Sequence, residues 1–140
     1  MWLLIWLACD EILVPPPAEP VDVVSSSSSE GKYTWDEDFF RKLSHGDCRG
    51  LASGVKSQCR ERDCQGIASH DPARCESDEC RGVASKQASH CESRLCRAWA
   101  TGNVGTCDSA DCRGVVGEEP GKCNSKQCRA IASHDPGMCP

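Results

Sequence analysis

From Cys48 to Cys139 the chain repeats every 16 residues. The units open at Cys48, Cys64, Cys80, Cys96, Cys112 and Cys128, and each carries a second cysteine eleven residues on, at Cys59, Cys75, Cys91, Cys107, Cys123 and Cys139. The cysteines are therefore spaced C-x10-C within a unit and C-x4-C between units. A period this short and regular describes a stack of small units, none of which can bury its apolar face alone.

Counting from each opening cysteine as position 1, position 2 is Arg in five of the six units (Arg49, Arg81, Arg97, Arg113, Arg129), with Gln65 as the exception. Position 3 is Gly or Ala throughout. Position 4 is always apolar: Leu51, Ile67, Val83, Trp99, Val115 and Ile131. Ser77, Ser93, Ser109 and Ser125 each stand three residues before an opening cysteine, where a helix N-cap is expected. Acidic residues such as Asp78, Glu79 and Asp111 follow in the first turn, on the favourable side of the helix dipole. On a helical wheel, positions 1, 4 and 5 lie within about 100° of one another, so they share one face. Position 3 points elsewhere. Gly there costs about 1 kcal/mol relative to Ala, and its recurrence implies a close approach on a second face. The rest of each unit reads as a turn, with Asp71-Pro72 and Asp135-Pro136 suited to N-cap and first-turn positions.

Thirteen cysteines in 140 residues accompany only two Phe, one Tyr, two Met and four Trp. Such a chain lacks the material for an ordinary core and depends on crosslinks. Six pairs can be formed in several ways. Pairing across C-x4-C leaves Cys48 and Cys139 at opposite ends of a linear array, whereas pairing within units consumes all twelve cysteines. Counting therefore favours 48–59, 64–75, 80–91, 96–107, 112–123 and 128–139. Cys9 is left over.

The residues before Cys48 differ in kind. They hold nine acidic against three basic side chains, and the array beyond them twelve against thirteen. Residues 1–9 open with the apolar run Met1-Trp2-Leu3-Leu4-Ile5-Trp6-Leu7-Ala8, too short for a bilayer-spanning helix of about 20 residues. The run followed by Ala8-Cys9 resembles the cleavage and lipidation point of bacterial lipoproteins. That resemblance implies an export signal removed before Cys9 and a lipid on its sulfur, which would also account for the odd cysteine. Residues 10–33 include Pro15-Pro16-Pro17, Pro20 and the run Ser25 to Ser29, the composition of a tether. Order is expected from Thr34, which with Glu37 fits a capping box. Trp35, Phe39 and Leu43 at i, i+4 and i+8 then predict a helix that caps the open end of the array.

Candidate chemistry is sparse. Twelve thiolates could hold copper or zinc, yet no C-x2-C occurs, and His70 and His134 are the only histidines that share a repeat position. Ala-Ser-His-Asp-Pro occurs at 68–72 and 132–136, but residues adjacent in sequence rarely form a catalytic triad. No active site is recognised, no cofactor is called for, and no basic stripe suits nucleic acid. Two surfaces remain: a ladder formed by the position-2 arginines, and Trp99, the one aromatic at position 4, which suits a core filler better than a partner anchor.

The expected fold is all-α, with short disulfide-bridged helices on a 16-residue period stacked as a small solenoid over residues 48–140, inside a domain of 34–140 that includes the capping helix. It is similar in principle to Sel1-like cysteine-rich repeats, whose helical hairpins are also disulfide-bridged, although those units are longer. The expected function is that of a non-enzymatic binding or structural module in the bacterial cell envelope, in the periplasm or at the cell surface. A lipid would hold it to the membrane, and its partner would be an unknown protein or surface ligand. The alternative is a thiolate protein that stores or senses copper or zinc.

Overall fold

The computed structural model describes residues 33–140. Among them lie six short α-helices, one per unit: α1 (His45–Ser53), α2 (Arg62–Ser69), α3 (Asp78–Ser85), α4 (Arg94–Thr101), α5 (Ala110–Val116) and α6 (Lys126–Ala132). No strand occurs among the described residues. A single 3-10 turn follows each helix. The fold is all-helical with a 16-residue repeat, as the period requires.

Local chemistry sets the helix limits. The hydroxyls of Ser77, Ser93, Ser109 and Ser125 accept the backbone N–H of Cys80, Cys96, Cys112 and Cys128 respectively, which satisfies one orphan donor per helix. Asp71, Asn103 and Asp135 cap the 3-10 turns in the same way. At the C-terminal end every position-7 residue takes a left-handed conformation. This holds for Gly54 and Gly102 and also for His70, Lys86, Glu118 and His134, with φ from 54° to 58° in the four non-glycines.

Consecutive helices pack side by side, and α6 packs on α1. The array is therefore closed into a ring, and it has no open end. The disulfides follow the same circuit. They are Cys59–Cys64, Cys75–Cys80, Cys91–Cys96, Cys107–Cys112 and Cys123–Cys128, each spanning five residues, and Cys48–Cys139, spanning 91. The within-unit pairing 48–59, 64–75, 80–91, 96–107, 112–123 and 128–139 is thus incorrect. That expectation treated Cys48 and Cys139 as distant ends, whereas ring closure sets their Cα atoms 5.9 Å apart. Each position-12 cysteine bridges to position 1 of the next unit, and the unit after the sixth is the first.

The bridges explain the small residue at position 3. A Cβ on Gly82 would stand 2.6 Å from the Cys91 sulfur and 3.0 Å from that of Cys96, and one on Gly114 would stand 2.3 Å from that of Cys123. What approaches the second helical face is the disulfide of the following junction.

In four of the six units the residue immediately before the opening cysteine is an acid that makes a second tie; Leu95 and Gln127 stand there in the other two. Asp63 is buried, and its Oδ1 accepts the backbone N–H groups of Glu76 and Ser77 at 2.7 and 3.2 Å while its Oδ2 accepts the Ser77 hydroxyl at 2.6 Å. Glu79 binds Glu92 and Ser93 in the same pattern, and Asp111 accepts the amides of Asn124 and Ser125. Asp47 accepts the amides of Arg60 and Glu61. Here the N-cap residue is Glu61, which has no hydroxyl, and Tyr33 donates its phenol to Asp47 Oδ2 in its place. Each buried carboxylate thereby fixes the entry of the next helix.

The segment before α1 is not a capping helix. Its one helical element among the described residues is a 3-10 turn, Phe40–Lys42, and Asp36, not Thr34, accepts a turn amide, that of Asp38 at 3.0 Å. Phe39 and Phe40 are both fully buried, and neighbours on a regular helix would not share one face. The segment instead lies across the ring. Tyr33 meets α1 through Asp47, Phe39 and Phe40 reach Trp99 of α4 with ring centroids 6.2 and 5.6 Å away, and the Arg41 carbonyl accepts from Gln127 of α6. A closed ring has no end to cap, but it has a centre to fill, and this aromatic strap fills it. Tyr33, assigned by composition to the tether, belongs to the strap. The rest of that tether and the proposed signal segment 1–9 lie outside the described residues.

Among the described residues no helix is long and apolar enough to cross a membrane. The six disulfides found there fit an oxidising, exported location.

Candidate functional site

Position 4 was chosen by the helical period to face inward, and in a ring inward means toward one axis. Leu51, Ile67, Trp99, Val115 and Ile131 line a single cavity of about 430 Å³. An adjoining recess of about 180 Å³ shares Ile67, Trp99 and Val115 and adds Val83, so all six position-4 side chains take part. The strap contributes no residue to either space. Its contacts lie with the N-terminal ends of the helices, as where Trp35 sits beside Arg94, Leu95 and Ser109. The cavity lies at the other side, where the helices end, and it forms a bowl with an apolar interior.

Trp99 separates the two sides. It is half-buried, packing on Phe39 and Phe40 while lining the bowl. The mouth carries residues from positions 6 and 7: Ser53, Gly54, His70, Lys86, Glu118 and His134. His134 Nε2 stands 3.4 Å from Glu118 Oε1. The left-handed turns at position 7 place these polar groups there, because each helix must reverse direction as its last turn ends. A space of this size, apolar within and polar at the edge, matches the dimensions of small-ligand sites.

The other sequence candidates fall elsewhere. Cys9 is outside the described residues. The position-2 side chains are repeated at every junction, but several spend their donors locally. Arg81 reaches the carbonyl of Glu76 at 3.3 Å, Arg113 that of Cys107 at 3.4 Å, and Arg129 that of Asn124 at 3.5 Å. Gln65 does the same for Cys59 at 3.5 Å. They cap the loop before their own helix, and Arg49 and Arg97 are exposed on the same ladder.

Four junctions bring a carboxylate and two cysteine sulfurs within 4.8 Å: Asp47 with Cys59 and Cys64, Asp63 with Cys75 and Cys80, Glu79 with Cys91 and Cys96, and Asp111 with Cys123 and Cys128. In the oxidised ring the sulfurs are joined to each other and the carboxylates bind backbone amides. Thiolate, the species a soft metal selects, is available at these places only after reduction.

Sequence reasoning did not identify the bowl or the buried carboxylates. The acids before four of the six opening cysteines were visible, but they read only as first-turn residues favoured by the helix dipole. Their signal was adjacency to the most buried position of the repeat. No protein-family model, no curated protein and no solved structure matches this chain.

Proposed function

We propose that the protein is a non-enzymatic binding module of the bacterial cell envelope, held to the membrane by a lipid on Cys9, which presents the bowl of its ring to a small apolar ligand or an apolar group of a larger partner. The observation that carries the binding reading is the convergence of five position-4 side chains on one open cavity, with the sixth, Val83, in the recess beside it. A core residue repeated only for packing would be expected to fill its space, as Phe39 and Phe40 do on the other side of Trp99. Disulfides and buried carboxylates hold the wall rigid, so little ordering entropy opposes binding.

The anchor rests on Ala8-Cys9 and on the pairing of every other cysteine. Intact mass of protein extracted from membranes tests it: loss of twelve hydrogens for the six bridges together with a diacylglyceryl-type adduct supports the reading. Free thiols carrying copper or zinc would overturn it in favour of metal storage or sensing, the second reading, for which the four carboxylate–cysteine clusters provide a site once reduced. For the bowl, saturable binding of neutral octanol by the wild type, lost in Val115→Trp, supports ligand capture. Octanol binding unchanged by that substitution would remove the bowl from consideration.

A further inference from the structure

The helix ends around the bowl are incompletely capped. In α2 the carbonyls of Gly66 and Ile67 accept the backbone N–H groups of Asp71 and His70 at 2.9 and 3.2 Å. The next two carbonyls, those of Ala68 and Ser69, accept no backbone hydrogen bond from any described residue, and the same holds at positions 5 and 6 of the other five units. The left-handed residue that follows turns the chain away before a further N–H can reach them. The ends of α1, α2, α3, α5 and α6 contribute residues to the two spaces, and each of these ends has two spare carbonyls. Each such end carries a partial negative charge approaching half an elementary charge at low ionic strength.

Formal charges at the mouth do not offset this. Lys86 and Glu118 oppose each other, and the imidazoles of His70 and His134 add charge only when protonated. The interior offers no polar side chain beyond the Trp99 ring, so charge on a ligand must remain at the mouth while its hydrocarbon body enters.

We propose that the bowl selects an organic cation: an ammonium group held among the position-5 and position-6 carbonyls and Glu118, with an apolar body reaching Val115, Ile131 and Trp99. The proposal rests on the ligand-capture reading and assigns its ligand class. A primary or secondary ammonium donates hydrogen bonds to the carbonyls, and a quaternary one gains the electrostatic part alone. An anion of the same body meets the same carbonyls repulsively.

Calorimetric titration at pH 8 with octyltrimethylammonium, octylammonium, octanol and octanoate, all below their micellar concentrations, separates the possibilities. The expected result is one site per chain, with both cations bound at least tenfold more tightly than octanoate and octanol falling between. Glu118 is exposed, so Glu118→Lys tests the charge without disturbing the core. It should weaken both cations about fivefold or more and octanol by much less. Octanoate binding as tightly as octylammonium, or a cation preference untouched by Glu118→Lys, overturns the proposal while leaving ligand capture standing. Failure of all four ligands to bind overturns both.

Discussion

At the scale of single residues, the tightest constraint lies where the backbone meets a bridge. Gly82→Ala would gain helix propensity of about 1 kcal/mol, but its Cβ must displace the Cys91 sulfur from 2.6 Å. That sulfur is fixed at both ends and cannot swing aside. A net loss of about 1–3 kcal/mol is expected from denaturant unfolding, while Gly121→Ala, with nothing within 4 Å of its new Cβ, should be close to neutral. Asp63→Ala strips partners from two amides and a buried hydroxyl at once. It should cost about 3–5 kcal/mol, the scale for leaving several buried donors unmet. Tyr33 offers a pH test. Burial, and then its hydrogen bond to the Asp47 carboxylate, push its phenol well above the ordinary value. A group whose pKa is raised on folding stabilises the fold below its unfolded pKa, and that contribution is lost as pH rises past it. Wild-type stability should therefore fall more steeply than that of Tyr33→Phe above about pH 10, a difference seen by comparing denaturant midpoints of the two across pH 8–11.

At the scale of elements, the helices were legible and their closure was not. Six N-cap and turn assignments, from Asp71 to Asp135, follow from side chains that act within three residues of themselves, and such effects are local enough to read directly. The small position 3 correctly announced a close approach. What approached could not be named, because the disulfide that does so depends on which units are neighbours. The bowl stayed hidden for the same reason: position 4 is apolar whether it lines a seam or an axis. The strap shows how periodicity can mislead. Trp35, Phe39 and Leu43 fit a helical stripe, but Phe40 is just as deeply buried as Phe39, and the segment takes whatever backbone puts both rings against Trp99. Phe40→Ala should cost about 3–5 kcal/mol in a two-state unfolding measurement, the usual range for a buried ring. Glu37→Ala, at an exposed strap position, should change stability by less than about 0.5 kcal/mol.

For the molecule as a whole, the six bridges are chemically alike but unequal in consequence. On the loop-entropy model a bridge over five residues contributes about 2 kcal/mol and one over 91 about 4.6 kcal/mol. Replacing both Cys48 and Cys139 by Ser should therefore destabilise the ring by roughly twice as much as the paired replacement of Cys75 and Cys80. The measurement is the denaturant midpoint of each double variant under oxidising conditions, and equal losses would mean that α1 and α6 stay together without their bridge. His45, whose Nδ1 lies 2.9 Å from the Pro140 carbonyl, belongs to that same junction.

Closure also bears on how such a protein can evolve. A linear solenoid tolerates duplication or loss of a unit, since every interior interface is preserved and only the length changes. In this ring each junction turns the chain by about a sixth of a circle, so adding or removing one unit leaves Cys48 and Cys139 out of register and alters the angle at every other interface. Unequal recombination, the process by which tandem repeats ordinarily change in number, has no neutral product here. Change is then channelled into substitution within units, and the mouth of the bowl shows it, where position 7 holds Gly, His, Lys, Gly, Glu and His in turn.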